Sequence, residues 1–407
     1  MAGGAGSRAA HLANRDIYLD NNATTPLLPE VRDEIMRATS VGPSNPSSAH
    51  AAGDAGRTIL RRSRETVAKL IAAGPDSLFF TSGATEANNL VLRSAAQGVR
   101  KGPLRIATTA VEHASVLRAC ESLEMQGAEV VHLPVDGDGR VSVDRAKAVI
   151  SSSTTLVSVQ WVNNETGVIQ PVDDIGAICR SLGVSFHTDA AQAVGKLPVA
   201  ADALPVDYLS LTAHKWHGPA GIGAVYVAPG RRLVPLICGG GQERGVRAGT
   251  ENLLGIAGMG CAAGLRSARL QDAYRHMEEL RDSFENALAS RLKGIRINGK
   301  PSPRVCNTSS ITFFGIDGQA LVAQLDLRGV RCSQGSACEA SRPEPSHVLR
   351  AMGLSEEEAY ASVRFSFSEL NTLDEVRQAT DVIVDVCRAV KKKTTGRALS
   401  AGPVQER

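Results

Sequence analysis

The sequence carries little net charge, no closely paired cysteines and no long apolar run. Its 45 basic and 42 acidic residues are spread along the chain and leave a formal net charge of +3, which argues against a nucleic-acid groove or an anionic membrane surface as a partner. No window reaches the ~18 apolar residues of a membrane span, and residues 1–14 lack the apolar stretch of a secretory signal. The eight cysteines form no CxxC pair, so we expect reduced thiols rather than a disulfide framework or a zinc site. These absences predict a cytoplasmic protein that binds no metal, nucleic acid or membrane.

The chain is long enough for one large and one smaller domain, with 407 residues of which 43% are hydrophobic. Short apolar runs alternate with amphipathic stretches, as in βαβ units around a mostly parallel sheet with helices on both faces. A long helical pattern runs to residue 292, and strand-like segments follow it. The predicted strands lie at residues 78–81, 104–108, 129–133, 156–160, 184–188, 208–211, 309–313 and 361–366. The predicted parts are a disordered tail (1–15), a large domain (16–262) whose N-terminal segment contributes to the small domain, a small domain (263–392) and a disordered tail (393–407).

Two polar segments follow neighbouring apolar strands and together indicate a binding site for pyridoxal phosphate. Asp189 ends one strand, Gln192 comes three residues later, and Lys215 follows the next strand. The lysine amine would form an imine with the cofactor. A carboxylate beside the pyridine nitrogen keeps that nitrogen protonated, which the ring requires to withdraw electrons. Thr212 and His214 are placed to donate to the phosphate. The alternative for Lys215, a surface lysine beside a Gly-Pro turn, explains none of these neighbours.

Three further segments fall in the order that such a site requires. Residues 81–87 form a small-residue turn between a strand and a helix, where the N–H groups of Ala84 and Thr85 can bind a phosphate. His113 ends another predicted strand, where an imidazole can stack on the pyridine ring and exchange protons near neutral pH. Asn164 can donate to the cofactor's phenolic oxygen. Taken singly, these segments also fit a plain helix cap, a structural histidine and an Asn-rich turn.

Other candidate residues lie in loops and in one late strand. Residues 239–250 form a Gly-rich, basic segment that reads either as a solvated linker or as an exposed loop that presents Thr250 to a phosphate, in this subunit or a neighbouring one. Arg364 could bind a substrate carboxylate in bidentate fashion, although a structural ion pair fits equally well. Asn45 lies in a Pro-flanked loop and could add a substrate contact. Cys338 lies in a small, polar run that predicts an accessible loop.

At this point the chain resembles the cysteine desulfurases, the NifS/IscS-like group of fold type I pyridoxal-phosphate enzymes in the class V aminotransferase superfamily. The resemblance spans nearly everything from residue 18 to residue 366. The motifs that carry it are DNNATTP (20–26), TSGATE (81–86), AHK (213–215), GGGQER (239–244), GSAC (335–338) and EPSHVL (344–349). The resemblance implies an α/β fold in which the large domain holds a mostly parallel seven-stranded sheet flanked by helices, beside a smaller α+β domain.

The resemblance also implies roles for individual residues. Lys215 would be the Schiff-base lysine, His113 the stacking acid and base, and Thr250 a phosphate ligand donated across a homodimer interface. Cys338 would be the nucleophile that takes sulfur from L-cysteine, leaving L-alanine and a persulfide. The persulfide would pass to a sulfur-acceptor protein, such as an iron-sulfur scaffold, for cluster, cofactor or tRNA biosynthesis. The loop after Cys338 resembles the longer one of the NifS/IscS branch.

Two positions depart from the family pattern, and three alternative functions stay open. Cys332 replaces a small residue, and Glu339 stands where Thr is commoner, so the reactivity of the loop thiol can differ from that of relatives. A selenocysteine lyase would use nearly the same groups. An aminotransferase on the same fold would need no loop thiol. A cofactor-binding docking platform in sulfur assembly would show no turnover.

Overall fold

The structure is a computed structural model that describes residues 16–97, 103–335 and 344–400. Its helices are α1 (Pro29–Ser40), α2 (Ala51–Leu70), α3 (Ala84–Gln97), α4 (Ala114–Glu124), α5 (Val143–Val149), α6 (Val172–Leu182), α7 (Leu253–Arg291), α8 (Gly318–Asp326), α9 (His347–Ala351), α10 (Glu356–Tyr360) and α11 (Leu373–Ser400). Its strands are β1 (Ile17–Tyr18), β2 (Leu78–Thr81), β3 (Arg105–Thr109), β4 (Glu129–Leu133), β5 (Leu156–Ser158), β6 (Ser185–Asp189), β7 (Tyr208–Thr212), β8 (Gly223–Val227), β9 (Ile295–Ile297), β10 (Thr308–Phe313), β11 (Val330–Arg331) and β12 (Ser362–Ser366).

A seven-stranded sheet forms the centre of the larger part of the molecule, in the order β2-β8-β7-β6-β5-β3-β4. The strands from β7 to β4 pair in parallel, whereas β8 runs antiparallel to both of its neighbours, β2 and β7. The predicted mostly parallel, seven-stranded sheet is therefore confirmed. β8 is an addition to the strands predicted from the sequence. It follows β7 after a short connection, which antiparallel pairing permits and a parallel crossover does not.

Local signals place several helix ends. The Asn252 side chain accepts from Gly255 N at 3.0 Å, which satisfies a free N–H in the first turn of α7. Ser355 and Glu358 form a reciprocal capping box at the start of α10. Gly183 follows the last residue of α6 and terminates the helix with a left-handed φ of 68°. Residues that carry a side chain rarely adopt this conformation. The predicted long helix through residue 292 is confirmed as α7.

The smaller part has its own hydrophobic core. A three-stranded antiparallel sheet, β12-β10-β9, packs its aromatic side chains on α7, with Phe284 and Phe365 ring centroids 4.9 Å apart. Ile17 and Leu19 belong to this same core, and β1 pairs in parallel with β11. The N-terminal segment thus packs against residues from the other end of the chain.

The predicted domain boundaries stay predictions. α7 runs without interruption through residue 262, so that boundary falls inside a helix. α11 extends to Ser400, into the segment that the sequence assigns to a tail. Within the described ranges, no helix is both long and apolar enough to cross a membrane.

Candidate active site

A cavity of about 360 Å³ lies where β2, β5, β6 and β7 end. Because the carboxyl ends of parallel strands meet at one edge of a sheet, polar residues that follow different strands converge there. Ten of the predicted site residues line this cavity: Ala84, Thr85, His113, Asn164, Asp189, Gln192, Thr212, His214, Lys215 and Arg364.

The turn before α3 presents free backbone N–H groups to the cavity edge. The first hydrogen bond of this helix runs from Ala87 N to Gly83 O, at 3.1 Å. The N–H groups of Ala84 and Thr85 precede it and therefore have no partner within the helix. The N-terminal end of a helix carries partial positive charge. This turn can consequently bind an anion such as a phosphate.

Asp189 is the last residue of β6 and presents an oriented carboxylate. Its Oδ2 accepts from Asn88 Nδ2 at 2.7 Å, and its Oδ1 accepts from Ala191 N at 2.9 Å. Asn88 lies fully buried on α3 and also donates to Ser115 Oγ at 2.9 Å. The two hydrogen bonds fix the direction in which the carboxylate points. Asp189 can therefore hold a cationic N–H group against it.

His113 caps a helix and does not end a strand, which corrects the sequence-based placement. β3 ends at Thr109, and His113 is the N-cap of α4. Its Nδ1 accepts from Ser115 N at 3.1 Å and contacts Ser115 Oγ at 2.8 Å. Burial lowers the pKa of His113 below its ordinary 6.5. The imidazole is consequently neutral at pH 7.

Lys215 lies in a short 3-10 turn directly after β7, and the N-terminal segment holds its amine. Its Nζ donates to Asn22 O at 2.5 Å and to Ala23 O at 2.9 Å. The neighbouring His214 contacts Thr24 Oγ1 through Nδ1 at 3.2 Å. Burial and the Lys215 charge lower the pKa of His214 to about 4. His214 is therefore a neutral hydrogen-bonding group at pH 7.

Arg364 is a buried cation that forms an ion pair with Asp20 and also lines the cavity. Its Nη2 donates to Asp20 Oδ1 at 2.7 Å, and its Nη1 donates to Asn164 O at 3.2 Å. Its Nε is buried and has no hydrogen-bond partner among the described residues. The guanidinium is thus a structural ion pair that still lines the cavity.

The chain is similar to known proteins over most of its length. Residues 17–378 match the class-V aminotransferase family. The cysteine desulfurase IscS of Dictyoglomus turgidum is 41% identical over 369 residues, which cover 91% of this chain and 94% of the relative. A solved NifS-like protein aligns with a TM-score of 0.85 at 36% identity, over 91% of this chain and 99% of that one. SspA, solved in complex with cysteine, aligns with a TM-score of 0.76 at 34% identity, over 87% and 99%.

The chain belongs to the cysteine desulfurases of the class-V aminotransferase family. Enzymes of this family use pyridoxal phosphate, and the donor groups of the cavity fit that cofactor. Lys215 offers a primary amine to the aldehyde, and Asp189 a carboxylate to the ring nitrogen. The N–H groups of Ala84 and Thr85 suit the phosphate. No cluster of metal-ligating side chains occurs in the part of the chain that the structure describes.

Two residues expected in a desulfurase site, Thr250 and Asn45, do not line this cavity. Thr250 lines a neighbouring cavity of about 210 Å³, which shares Ser82 and Gly221 with the first. Asn45 is exposed, and its Oδ1 accepts from Ser47 N at 2.9 Å. Asn45 therefore gains no support as a substrate contact within its own chain.

The cysteines of the predicted catalytic loop differ in what the structure shows of them. Cys338 and Glu339 lie outside the described residues. Cys332 packs beside the core of the smaller part, and burial raises the pKa of its thiol to about 12. Cys332 is therefore a protonated, weakly nucleophilic thiol at neutral pH.

Sequence reasoning missed four polar residues around the site. Asn22, which accepts from Lys215, lies inside the opening motif but carried no assigned role. Asn88 holds Asp189, and its only signal was a polar residue on the buried face of α3. Glu112 is fully buried, and burial raises the pKa of its carboxyl to about 8. Lys196 is buried beside Gln192.

Proposed function

We propose that this desulfurase removes sulfur from L-cysteine, releases L-alanine and carries the sulfur as a persulfide on Cys338. The observation that carries the proposal is the convergence of Lys215, Asp189 and His113 in one cavity of a chain that is 41% identical to a cysteine desulfurase over most of its length. The related SspA was solved with cysteine, which supports the substrate.

Lys215 is the proton carrier at the substrate Cα. Bound pyridoxal phosphate supplies the electron sink that makes this Cα–H bond acidic. Lys215 Nζ accepts the proton, and the carbonyl oxygens of Asn22 and Ala23 then hold the resulting ammonium group, because each accepts an N–H from it. Asp189 would hold the N–H group of the ring nitrogen, since Asn88 and Ala191 orient its carboxylate.

Arg364 and His113 orient the substrate. The Arg364 guanidinium lines the cavity and is a cation that suits the carboxylate of L-cysteine. His113 is neutral, and because Ser115 N–H occupies its Nδ1, the ring proton lies on Nε2. That nitrogen can give a proton and take one back.

Cys338 then attacks the substrate sulfur as a thiolate. A new S–S bond forms while the Cβ–S bond of the substrate breaks, and the bonding electrons stay on the carbon fragment, which takes up protons to become alanine. Only the thiolate is competent, and a free cysteine has a pKa of ~8.5. The protonated, buried Cys332 is not equivalent to it.

Homodimer formation belongs to the proposal. Large apolar side chains are exposed on and beside α1, namely Leu27, Met36 and Val41. Such side chains favour burial against a partner. We further propose that the persulfide passes to an acceptor protein such as an iron-sulfur scaffold. The cytoplasmic location stays a prediction.

The decisive experiment compares Cys338→Ala with its matched control Cys332→Ala. Each purified protein is loaded with cofactor, its visible spectrum is recorded, and alanine and sulfide are measured after L-cysteine addition. We expect Cys338→Ala to keep the cofactor absorbance and lose alanine production by on the order of a thousandfold. Cys332→Ala should keep both.

Three outcomes would contradict the proposal. If Cys338→Ala produced alanine at the wild-type rate, Cys338 would not be the nucleophile. Accumulation of the pyridoxamine form with L-cysteine would indicate an aminotransferase. A large preference for selenocysteine over cysteine would indicate a selenocysteine lyase.

A further inference from the structure

Lys196 is a buried cation that the proposed chemistry does not use. It lies in the connection from β6 to β7, and only 4% of it is exposed. Its Nζ donates to Gln192 Oε1 at 2.5 Å and to Asn22 Oδ1 at 3.0 Å. Burying an ammonium group is costly unless an anion compensates for it. No carboxylate of the described residues forms an ion pair with Lys196, so its retention requires another explanation.

The groups around Lys196 make that burial less favourable. Three neighbouring cations, Lys215, Arg364 and Arg266, oppose its charge. The Cys306 thiol and the His217 imidazole are further titratable neighbours. Burial, followed by these cations, lowers the pKa of Lys196 to about 7. A lysine needed only to fill space could be replaced by an apolar side chain of similar length. What distinguishes Lys196 from such a side chain is the pair of hydrogen bonds that it donates.

Lys196 constrains which way two side-chain amides face, and at Asn22 it does so together with Asn307, whose Nδ2 also donates to Asn22 Oδ1, at 3.1 Å. An ammonium group can only donate, so both amides must turn their oxygen atoms towards it. The NH₂ end of Gln192 then donates to Asn22 O at 3.0 Å. The NH₂ end of Asn22 donates to Asn164 O at 3.1 Å and to Thr308 Oγ1 at 2.8 Å. Reversing either amide would place an N–H group against the ammonium.

The backbone carbonyl of Asn22 connects the two oriented amides to the amine of Lys215. Asn22 O accepts from Gln192 Nε2 and also from Lys215 Nζ. Gln192 and Asn22 both line the cavity. Lys196 itself does not line it. The hydrogen bonds that link Lys196 to the cavity therefore run through these two residues.

We propose that Lys196 is a positioning residue of the active site. It turns the donor end of the Gln192 amide towards the Asn22 carbonyl, the same carbonyl that accepts from the Lys215 amine. The inference rests on the proposed function, because it takes Lys215 and Gln192 as cofactor-binding residues. In this role Lys196 fixes the geometry of the site and does not itself contact the substrate.

The first test compares Lys196→Met with Arg105→Met. Methionine keeps the length of the side chain and removes the donors. Arg105 is the first residue of β3, is mostly buried and pairs with Glu129 at 3.0 Å. Because it does not line the cavity, Arg105→Met controls for the loss of a partly buried positive charge elsewhere in the fold. We expect Lys196→Met apoprotein to bind pyridoxal phosphate at least about tenfold more weakly than wild type, and Arg105→Met to bind it as wild type does.

A second readout uses the apoprotein alone. The pKa of Lys196 is about 7 in the folded chain and 10.5 ordinarily, so the unfolded chain binds the extra proton between these values. Folding stability of wild type relative to Lys196→Met should therefore rise as the pH increases from about 7 to about 10. Melting temperatures of both apoproteins across that range measure it. A constant difference would show that Lys196 does not titrate in this way and would overturn this part of the inference.

Gln192→Glu tests the amide directly and remains informative if Lys196→Met does not fold. A carboxylate keeps an oxygen atom for Lys196 but offers no N–H to the Asn22 carbonyl or the cavity. We expect a folded protein with at least about tenfold weaker cofactor binding. Wild-type affinity in this variant, or in a folded Lys196→Met, would overturn the inference.

Lys215→Ala separates failure of this inference from failure of the proposed function. If Lys215→Ala still forms the imine absorbance, the proposed function itself is wrong. If that absorbance is lost while Lys196→Met binds cofactor normally, only the positioning role fails.

Discussion

At the scale of single residues, the cap of α4 decides the protonation of the imidazole. A backbone N–H can only donate, so Ser115 N makes Nδ1 of His113 an acceptor. A neutral ring must then carry its proton on Nε2. Helix capping and acid-base chemistry thus depend on the same hydrogen bond.

We predict that His113 is the neutral Nε2–H tautomer at pH 7. Its folded-state pKa is lower than its ordinary 6.5, because burial disfavours the charged ring. As the pH falls below about 6.5, His113 therefore binds a proton in the unfolded chain before it does so in the folded protein. Its protonation consequently lowers the folding stability below that pH. Nitrogen-15 NMR of histidine-labelled protein, with His113→Gln used to assign the signal, measures the tautomer.

Ser115→Ala is the control for this prediction. It removes the hydroxyl and keeps the backbone donor, so the tautomer should not change. An Nδ1–H signal or a doubly protonated ring at pH 7 would contradict the assignment.

At the scale of elements, the antiparallel strand β8 supports the phosphate-binding turn. β8 pairs with β2 on one side and β7 on the other, and Gly223 lies opposite Thr81 and Thr212 in this register. A Cβ atom at Gly223 would approach Gly83 Cα to 2.7 Å and Leu211 O to 2.6 Å. The turn before α3 can therefore approach the sheet only because residue 223 has no side chain.

We predict that Gly223→Ala weakens pyridoxal-phosphate binding at least about tenfold, because the backbone of Gly83 must move and carry the N–H groups of Ala84 and Thr85 with it. Titration of the apoprotein with cofactor measures the change. Gly74→Ala is the matched control, since a Cβ there meets nothing within 4 Å. Equal affinities in the two variants would show that the turn tolerates the shift.

At the scale of the whole molecule, the position of Thr250 bears on the number of subunits. Thr250 lines the neighbouring cavity and not the one that holds Lys215. The segment before it is anchored by a buried pair in which the Arg64 guanidinium contacts Glu243 at 2.7 Å and 2.8 Å. A homodimer in which Thr250 serves the partner's site is compatible with both observations.

Mixing two inactive variants tests this arrangement. Lys215→Ala and Thr250→Ala would each be expected to impair every site in their own homodimers. If Thr250 acts across the interface, a mixed dimer contains one intact site, so random reassembly of equal amounts should restore about a quarter of wild-type activity. Absence of recovery in verified mixed dimers would place Thr250 in its own subunit's site. Light scattering of the wild type checks the dimer itself.

The sequence by itself determined the features that depend on neighbouring residues. Strand and helix periodicity is local, so most strands of the sheet and α7 were predictable, and so was the convergence of Asp189 and Lys215 at strand ends. The motifs also indicated the family and its cofactor. In the large sheet the sequence-based prediction missed β8, and in the smaller part it missed the short strands β1, β9 and β11. It also placed His113 on a strand end, whereas His113 caps a helix.

Only the tertiary structure decided which residues hold those groups in place. Lys215 donates to Asn22, which lies 193 positions away in the sequence, and Arg364 pairs with Asp20 across 344 positions. Lys196 acts on the site through the same Asn22. Such hydrogen bonds form only when distant segments pack together, and local patterns carry no information about a partner so far along the chain. The motifs therefore predicted the chemistry of the site, whereas only the fold determined its geometry.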